Sequence, residues 1–193
     1  MKKTILTFLT TMSIVLSFGQ KQYDTTFAFG KYQNKWALVE KAGLFGFITS
    51  DGTEIVKPRY NNISKFGEYR KDWALVERFG SYGFITSNGT EIVKPKYTKI
   101  SNFGEYTKDW ALVQKYDLYG FITSDGTEIV KPKYNKISKF GEYRKDWALV
   151  ERFGLYGFIT SDGTEIIKPK YESIIKGDTI VGIFNDKKEV IMH

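Results

Sequence analysis

Tryptophan recurs at Trp36, Trp73, Trp110 and Trp147, always 37 residues apart. Each opens the same phrase, as in Trp147-Ala148-Leu149-Val150. A fixed period in this range marks a repeat architecture, in which one small unit is copied and neighbouring units bury each other's apolar faces. The period also bears on function. An active site normally needs residues that occur once, whereas a copied unit builds a surface.

The copies are close. Tyr60–Lys96 and Tyr134–Lys170 align without a gap and differ at four of 37 positions. The copy between them, Tyr97–Lys133, differs from the later one at eight. Alternate copies are closer than neighbours, which points to duplication of a two-unit block. The flanks read as degraded copies. Phe29-Gly30-Lys31-Tyr32 precedes Trp36 as Phe66-Gly67-Glu68-Tyr69 precedes Trp73. Gly182-Ile183-Phe184 and Glu189-Val190-Ile191 look like a shortened Gly-Phe-Ile and Glu-Ile-Ile. With these, there are five units, the outer two atypical as capping units are.

One unit reads as short strands and tight turns. Trp147–Glu151 and Tyr156–Thr160 are apolar, aromatic and β-branched, as strands are, with a turn at Phe153-Gly154-Leu155 between them. Asp162-Gly163 follows, and such a pair suits the positive φ angles of a type I′ hairpin. Asn88-Gly89 fills the same place in another copy, keeping the turn chemistry and discarding the charge. Glu165-Ile166-Ile167 is a third strand, which Pro169 should stop for lack of an amide hydrogen. A fourth is expected around Tyr134–Ile137.

No helical periodicity follows the leader, so the fold class is all-β: tandem antiparallel meanders of about 37 residues. In Trp147-Ala148-Leu149-Val150 the residues facing opposite sides are all apolar, so each sheet expects cover on both faces. A propeller-like ring of five units provides that cover, as does an open stacked or solenoid-like array. The ring is slightly preferred.

Ala-Leu-Val, then aromatic-Gly-Phe-Ile, then Asp-Gly-Thr-Glu-Ile-Val-Lys-Pro-Lys-Tyr and Ile-Ser-Lys-Phe recur in this order. This order resembles the bacterial WG-repeat family, also called KWG repeats, over nearly the whole chain after the leader. The tryptophan of the family's Trp-Gly pair is replaced here by Phe45, Tyr82, Tyr119 and Tyr156. The resemblance implies a β-rich repeat of poorly defined function and brings no catalytic residues with it.

Residues 1–19 stand outside the pattern. Lys2 and Lys3 precede a mostly apolar stretch from Ile5 to Phe18, with small residues at Ser17 and Gly19. We read this as a secretory signal cleaved after Gly19, leaving 20–193 as a single repeat domain with no membrane span. The expected location is secreted, periplasmic or cell-surface. There is no cysteine, which removes disulfides and thiol chemistry. The net charge is +7, of which Lys2 and Lys3 supply two, and within Tyr134–Lys170 seven basic residues mix with five acidic ones. Such mixed charge reads as a solvated surface. Export argues against nucleic acid.

No catalytic residue, cofactor or metal is expected. The one histidine is His193, and the glycines recur at turn positions, not in a phosphate loop. Asp51, Asp125 and Asp162 lack the alternating acidic ligands of a calcium loop. Glu54, Glu91, Glu128 and Glu165 are equivalent by repeat, whereas a glycosidase splits two carboxylates between different environments. The tryptophans sit in apolar strands and read as core. Candidate binding residues are Tyr69, Arg70, Lys71, Tyr106, Lys108, Tyr143, Arg144 and Lys145, an aromatic and cationic set in polar loops. The expected function is a non-enzymatic binding or scaffold module with a protein or glycan partner at the cell envelope. The alternatives are a carbohydrate-active envelope enzyme and a purely structural envelope component.

Overall fold

The computed structural model describes residues 23–33 and 35–192. The secretory signal expected at residues 1–19, and His193, lie outside the described residues. Among these the structure is all strand, and no helix is long and apolar enough to cross a membrane. The first sheet holds β1 (Thr25–Thr26), β2 (Trp36–Lys41), β3 (Leu44–Thr49) and β4 (Glu54–Tyr60). The second holds β5 (Asn62–Ile63), β6 (Trp73–Arg78), β7 (Ser81–Thr86) and β8 (Glu91–Tyr97). The third holds β9 (Lys99–Ile100), β10 (Trp110–Lys115), β11 (Leu118–Thr123) and β12 (Glu128–Tyr134). The fourth holds β13 (Lys136–Ile137), β14 (Trp147–Arg152), β15 (Leu155–Thr160) and β16 (Glu165–Tyr171). The fifth has β17 (Ser173–Lys176), β18 (Ile180–Phe184) and β19 (Lys187–Met192). Every sheet is an antiparallel meander in chain order.

The two-residue period of a strand divides Trp-Ala-Leu-Val into a large face and a small one. Trp36, Leu38, Phe47, Val56 and Tyr60 of the first sheet pack on Ile63, Ala74, Val76 and Ile85 of the second. Trp73, Phe84, Val93 and Tyr97 then meet Ala111, Val113 and Ile122, and Trp110, Phe121, Val130 and Tyr134 meet Ala148, Val150 and Ile159. Aromatic bulk thus enters the space that alanine and valine leave. Full burial of one such large side chain stabilises by about 1.5–3 kcal/mol. The stacking runs from each sheet to the next, and no comparable contact joins the fifth sheet to the first among the described residues. The small face of the first sheet, Ala37, Val39 and Ile48, is met by Tyr23. The array is open, and the preferred ring is corrected: every sheet but the terminal ones already has both faces covered by its sequence neighbours.

Proline does not end the third long strand of each unit. β4 runs through Pro58 to Tyr60. Phe47 pairs with Val56 and Phe45 with Tyr60, so three residues of β4 bulge opposite the single Gly46. Pro58, which has no amide hydrogen to offer, sits in that unpaired excursion. A Cβ at Gly46 would collide with the Val56 carbonyl and lie 2.6 Å from the Pro58 nitrogen. The same crowding recurs at Gly83, Gly120 and Gly157.

A polar ladder runs beside the stacked core. Tyr60 Oη donates to Glu91 at 2.8 Å, Tyr97 to Glu128 at 2.6 Å and Tyr134 to Glu165 at 2.5 Å, each joining one sheet to the next. Tyr23 makes the same bond to Glu54 at 3.2 Å. The residue before each central tyrosine adds a cation: Arg59 lies 3.4 Å from Glu91, Lys96 2.8 Å from Glu128 and Lys133 2.8 Å from Glu165. Burial, then the Glu91 bond, pushes the Tyr60 hydroxyl up to about 12, and burial raises Tyr97 and Tyr134 further. Burial works to raise Glu128 and Glu165, but the lysine and tyrosine hydrogen bonds outweigh it and leave both carboxyls lowered.

The fifth sheet corrects the alignment of the last unit. Ile174 pairs with Gly182 and Gly182 with Glu189, as Ile137 pairs with Val150 and Val150 with Gly157. Gly182-Ile183-Phe184 therefore occupies the first long strand, and Glu189-Val190-Ile191 the second. Glu189 stands at the crowded glycine position, where no fourth strand opposes it among the described residues. It pairs with Lys170 at 3.0 Å and faces the Tyr171 hydroxyl, continuing the ladder from a different position.

Deleting Tyr97–Lys133 should leave a shorter folded array with a lower Tm, followed by circular dichroism; a product without β signature would mean that five units are required together. Glu128→Ala strands a buried tyrosine hydroxyl and should cost about 1–3 kcal/mol in denaturant unfolding, with Glu128→Gln milder because its amide oxygen still accepts. Stability should also fall at both pH extremes. The tyrosine contribution is fully present below the unfolded value of 10.0 and is lost as pH rises through about 12. The contribution of Glu128 and Glu165 is present above 4.5 and is lost as acid protonates them. A Tm flat from pH 8 to 12 would exclude the tyrosine contribution.

Candidate functional site

The tightest turns lie where the two first long strands of each unit join. Arg78 pairs with Ser81, Lys115 with Leu118 and Arg152 with Leu155, which leaves two-residue loops. These loops are Phe79-Gly80, Tyr116-Asp117 and Phe153-Gly154, with Ala42-Gly43 and Asn185-Asp186 at the ends of the array. Both residues of each have positive φ, the type I′ geometry. The Asp-Gly turns are of another kind. Only Gly52, Gly89, Gly126 and Gly163 have positive φ there. The Gly52 amide donates to the Thr49 carbonyl at 2.9 Å, and the Thr49 amide to Thr53 at 2.9 Å, a type I turn closed by a left-handed glycine. The expected type I′ turn at Asp-Gly is thus corrected: the primed turn sits at Phe-Gly.

This placement has a cost. Phe79, Tyr116 and Phe153 hold φ of 50°, 51° and 53°. Bulky residues rarely do so, and left-handed backbone costs roughly 1–2 kcal/mol per residue. Side-chain caps offset part of it: the Phe79 amide donates to Asn61 Oδ1, and the Phe153 amide to Asn135 Oδ1, both at 2.8 Å. The rings gain nothing from burial. They are 78%, 80% and 80% exposed. Each lies under its preceding cation, with Arg78 Cζ 5.4 Å from the Phe79 centroid, Lys115 Nζ 5.0 Å from Tyr116 and Arg152 Cζ 5.1 Å from Phe153. Because the sheets stack in the same way, these tips recur along one edge of the array.

The residues expected to bind are placed differently. Tyr69, Tyr106 and Tyr143 are half-buried, with rings 5.4, 5.5 and 5.2 Å from Phe84, Phe121 and Phe158. Burial raises the hydroxyl pKa of all three. Arg70 lies over Trp73 and Phe103, and Arg144 over Trp147. These side chains close the rim of the aromatic core. Lys71, Lys108 and Lys145 are exposed, but the third unit has Thr107 where its neighbours have arginine, so no continuous cationic surface forms. The loops also alternate. Ser87 and Ser161 donate to the Asp72 and Asp146 carbonyls at 2.8 and 2.9 Å, whereas Asp109 takes a φ of 64°. This matches the greater likeness of alternate copies.

The remaining polar groups serve the fold. Trp36, Trp73 and Trp110 are no more than 8% exposed. Glu91, Glu128 and Glu165 are held in the ladder. The Thr123 hydroxyl and the Thr127 amide hold the Asp125 carboxyl down to about 2, and Asn88 accepts the equivalent bonds from Thr86 and Thr90. No group of three metal-ligating side chains occurs among the described residues. A groove of about 340 Å³ between β16 and β19 is lined by Ile166, Ile167 and Val190 beside the Lys170–Glu189 pair. The exposed tips escaped the sequence reading, although their signal is there: Arg78-Phe79, Lys115-Tyr116 and Arg152-Phe153 recur at the repeat period.

The family described as WG containing repeat matches residues 45–78, 82–119, 119–152 and 156–176. No curated protein matches the chain. Each family match begins at or beside an aromatic-Gly pair, Phe45-Gly46, Tyr82-Gly83, Tyr119-Gly120 or Tyr156-Gly157, whose glycine is the one crowded by the opposing bulge. These matches cover more than half of the sequence and coincide with the stacked sheets, and the chain belongs to the WG-repeat family.

Proposed function

We propose that this protein is a non-enzymatic binding or scaffold module, presenting the tips at Phe79, Tyr116 and Phe153 as one repeated surface. Its partner is a protein or glycan of the cell envelope, if the apolar leader directs export as its sequence suggests. The observation that carries this reading is the three rings, about four-fifths exposed, at backbone positions that disfavour them. Residues held in sparsely populated backbone conformations cluster at ligand-contact sites, and here the strained residue is each time an exposed ring. Glu91, Glu128 and Glu165 are each engaged by a tyrosine and a cation, which supports binding over acid–base chemistry.

The substitution Phe79→Asn, Tyr116→Asn and Phe153→Asn together suits the turn, since asparagine accepts positive φ readily. The expected result is a Tm unchanged or raised and a loss of partner capture from envelope extract. Capture equal to the parent's at preserved Tm would refute the tips as the binding surface. Turnover of an envelope polysaccharide that vanished on changing one carboxylate would refute the non-enzymatic reading.

A further inference from the structure

We infer that the tip ladder binds an extended glycan with sparse carboxylates, one sugar ring stacking on each of Phe79, Tyr116 and Phe153. The inference rests on the tips being the binding surface. Each ring has a cation over one face, at 5.0–5.4 Å, and is 78–80% exposed, which leaves its other face open. A sugar ring offers a flat C–H face to that open side. The exposed cation–ring contact is weak, so Arg78, Lys115 or Arg152 can swing from its face to the ring edge and meet a carboxylate there. Cation and ring together thus select a flat, weakly anionic unit.

Spacing and charge narrow the class. Stacked sheets lie about 10 Å apart, so the surface is a row of separate small platforms, not a continuous apolar patch. A stable protein interface buries about 1,200–2,000 Å² of closely packed surface, which isolated rings supply poorly. A polymer that repeats its own unit can meet all three platforms at once, and linked weak contacts multiply into avidity. Each platform is also close to charge balance. Glu77 precedes Arg78, Asp117 follows Tyr116, and Glu151, itself paired with Lys136 at 2.9 Å, precedes Arg152. A dense phosphate backbone would meet those carboxylates, whereas a glycan charged on alternate sugars would not be repelled.

Titration calorimetry on the full chain tests this with hyaluronan oligosaccharides, which carry a carboxylate on alternate sugars. Neutral chito-oligosaccharides and a single-stranded oligodeoxynucleotide serve as comparisons. Hyaluronan should bind best. Phe79→Asn alone should weaken it about tenfold, and the three asparagine substitutions together about 100-fold or more. The triple R78Q, K115Q and R152Q should weaken hyaluronan and leave the neutral glycan unaffected. Equal affinity for the neutral glycan overturns the carboxylate assignment, and tighter binding of the oligonucleotide overturns the glycan. If no glycan binds while the asparagine variant still loses a protease-sensitive, periodate-resistant partner, the glycan inference fails and the binding edge stands. If neither glycan binding nor capture responds to the tips, both fail.

Discussion

The structure depends on the fit of a large sheet face into a small one. Trp, Leu, Phe, Val and Tyr project from one side of every long meander, and Ala, Val and Ile from the other. Neither face could stand in water, and neither pairs well with its own kind: two large faces would crowd, and two small ones would leave voids. The only economical arrangement is head to tail, each sheet on the next. That polarity makes an array from a repeat, and it leaves a distinct first and last surface. At the first, Tyr23 occupies the place that the tyrosine of a preceding unit would take, since Tyr23, Tyr60, Tyr97, Tyr134 and Tyr171 share one spacing of 37 residues.

Apolar stacking has no direction within the plane of the sheets, so it does not fix how one sheet is rotated on the next. The tyrosine–glutamate–cation ladder supplies that specification. A phenol fully buried among apolar side chains must find an acceptor, and the glutamate of the next sheet meets it at one register. The ladder therefore explains why a carboxylate recurs at Glu91, Glu128 and Glu165 without invoking chemistry. Glu189 strengthens the argument. The glutamate lies on a different strand, at a position held by glycine elsewhere, and yet serves the same partners. What recurs is the electrostatic demand of the buried tyrosine and its neighbouring lysine.

Much of the fold was legible because strand alternation and repeat length are local facts. The all-β class, the two-sided burial and the core role of the tryptophans follow from Trp-Ala-Leu-Val alone. The errors share one cause: they turn on non-local pairing. Pro58 reads as a strand terminator until Gly46 is seen to give the bulge its room. Asp-Gly reads as the primed turn, but three-residue closure between Thr49 and Thr53 needs positive φ at the glycine only. Tyr69 and Arg70 read as a polar loop, yet the following sheet brings Phe103 against Trp73 and makes them the rim of a core. The same reading that promoted those loops passed over Phe79, because Phe-Gly was read only as the turn joining two strands, and the exposure of its ring follows from the two-residue closure between Arg78 and Ser81.

Near-identical copies raise the question of whether the tips recur only by descent. The third unit decides it, because there the tip has diverged. Glu151, Arg152, Phe153 and Gly154 stand where the third unit has Gln114, Lys115, Tyr116 and Asp117, so all four positions differ. Acid and amide interchange at the first of these positions and glycine and aspartate at the last, so neither class is common to the copies. The cation and the aromatic ring were held, with the same stacking distance within a few tenths of an ångström. The replacement of Gly154 by Asp117 removes the residue best suited to positive φ from beside a tyrosine already strained there. Turn stability alone would favour asparagine or glycine at both positions. In the first and fifth sheets the equivalent residues are Ala42 and Asn185, which carry no ring. What the three central tips share, across positions that otherwise differ, is the cation and the ring exposed to solvent.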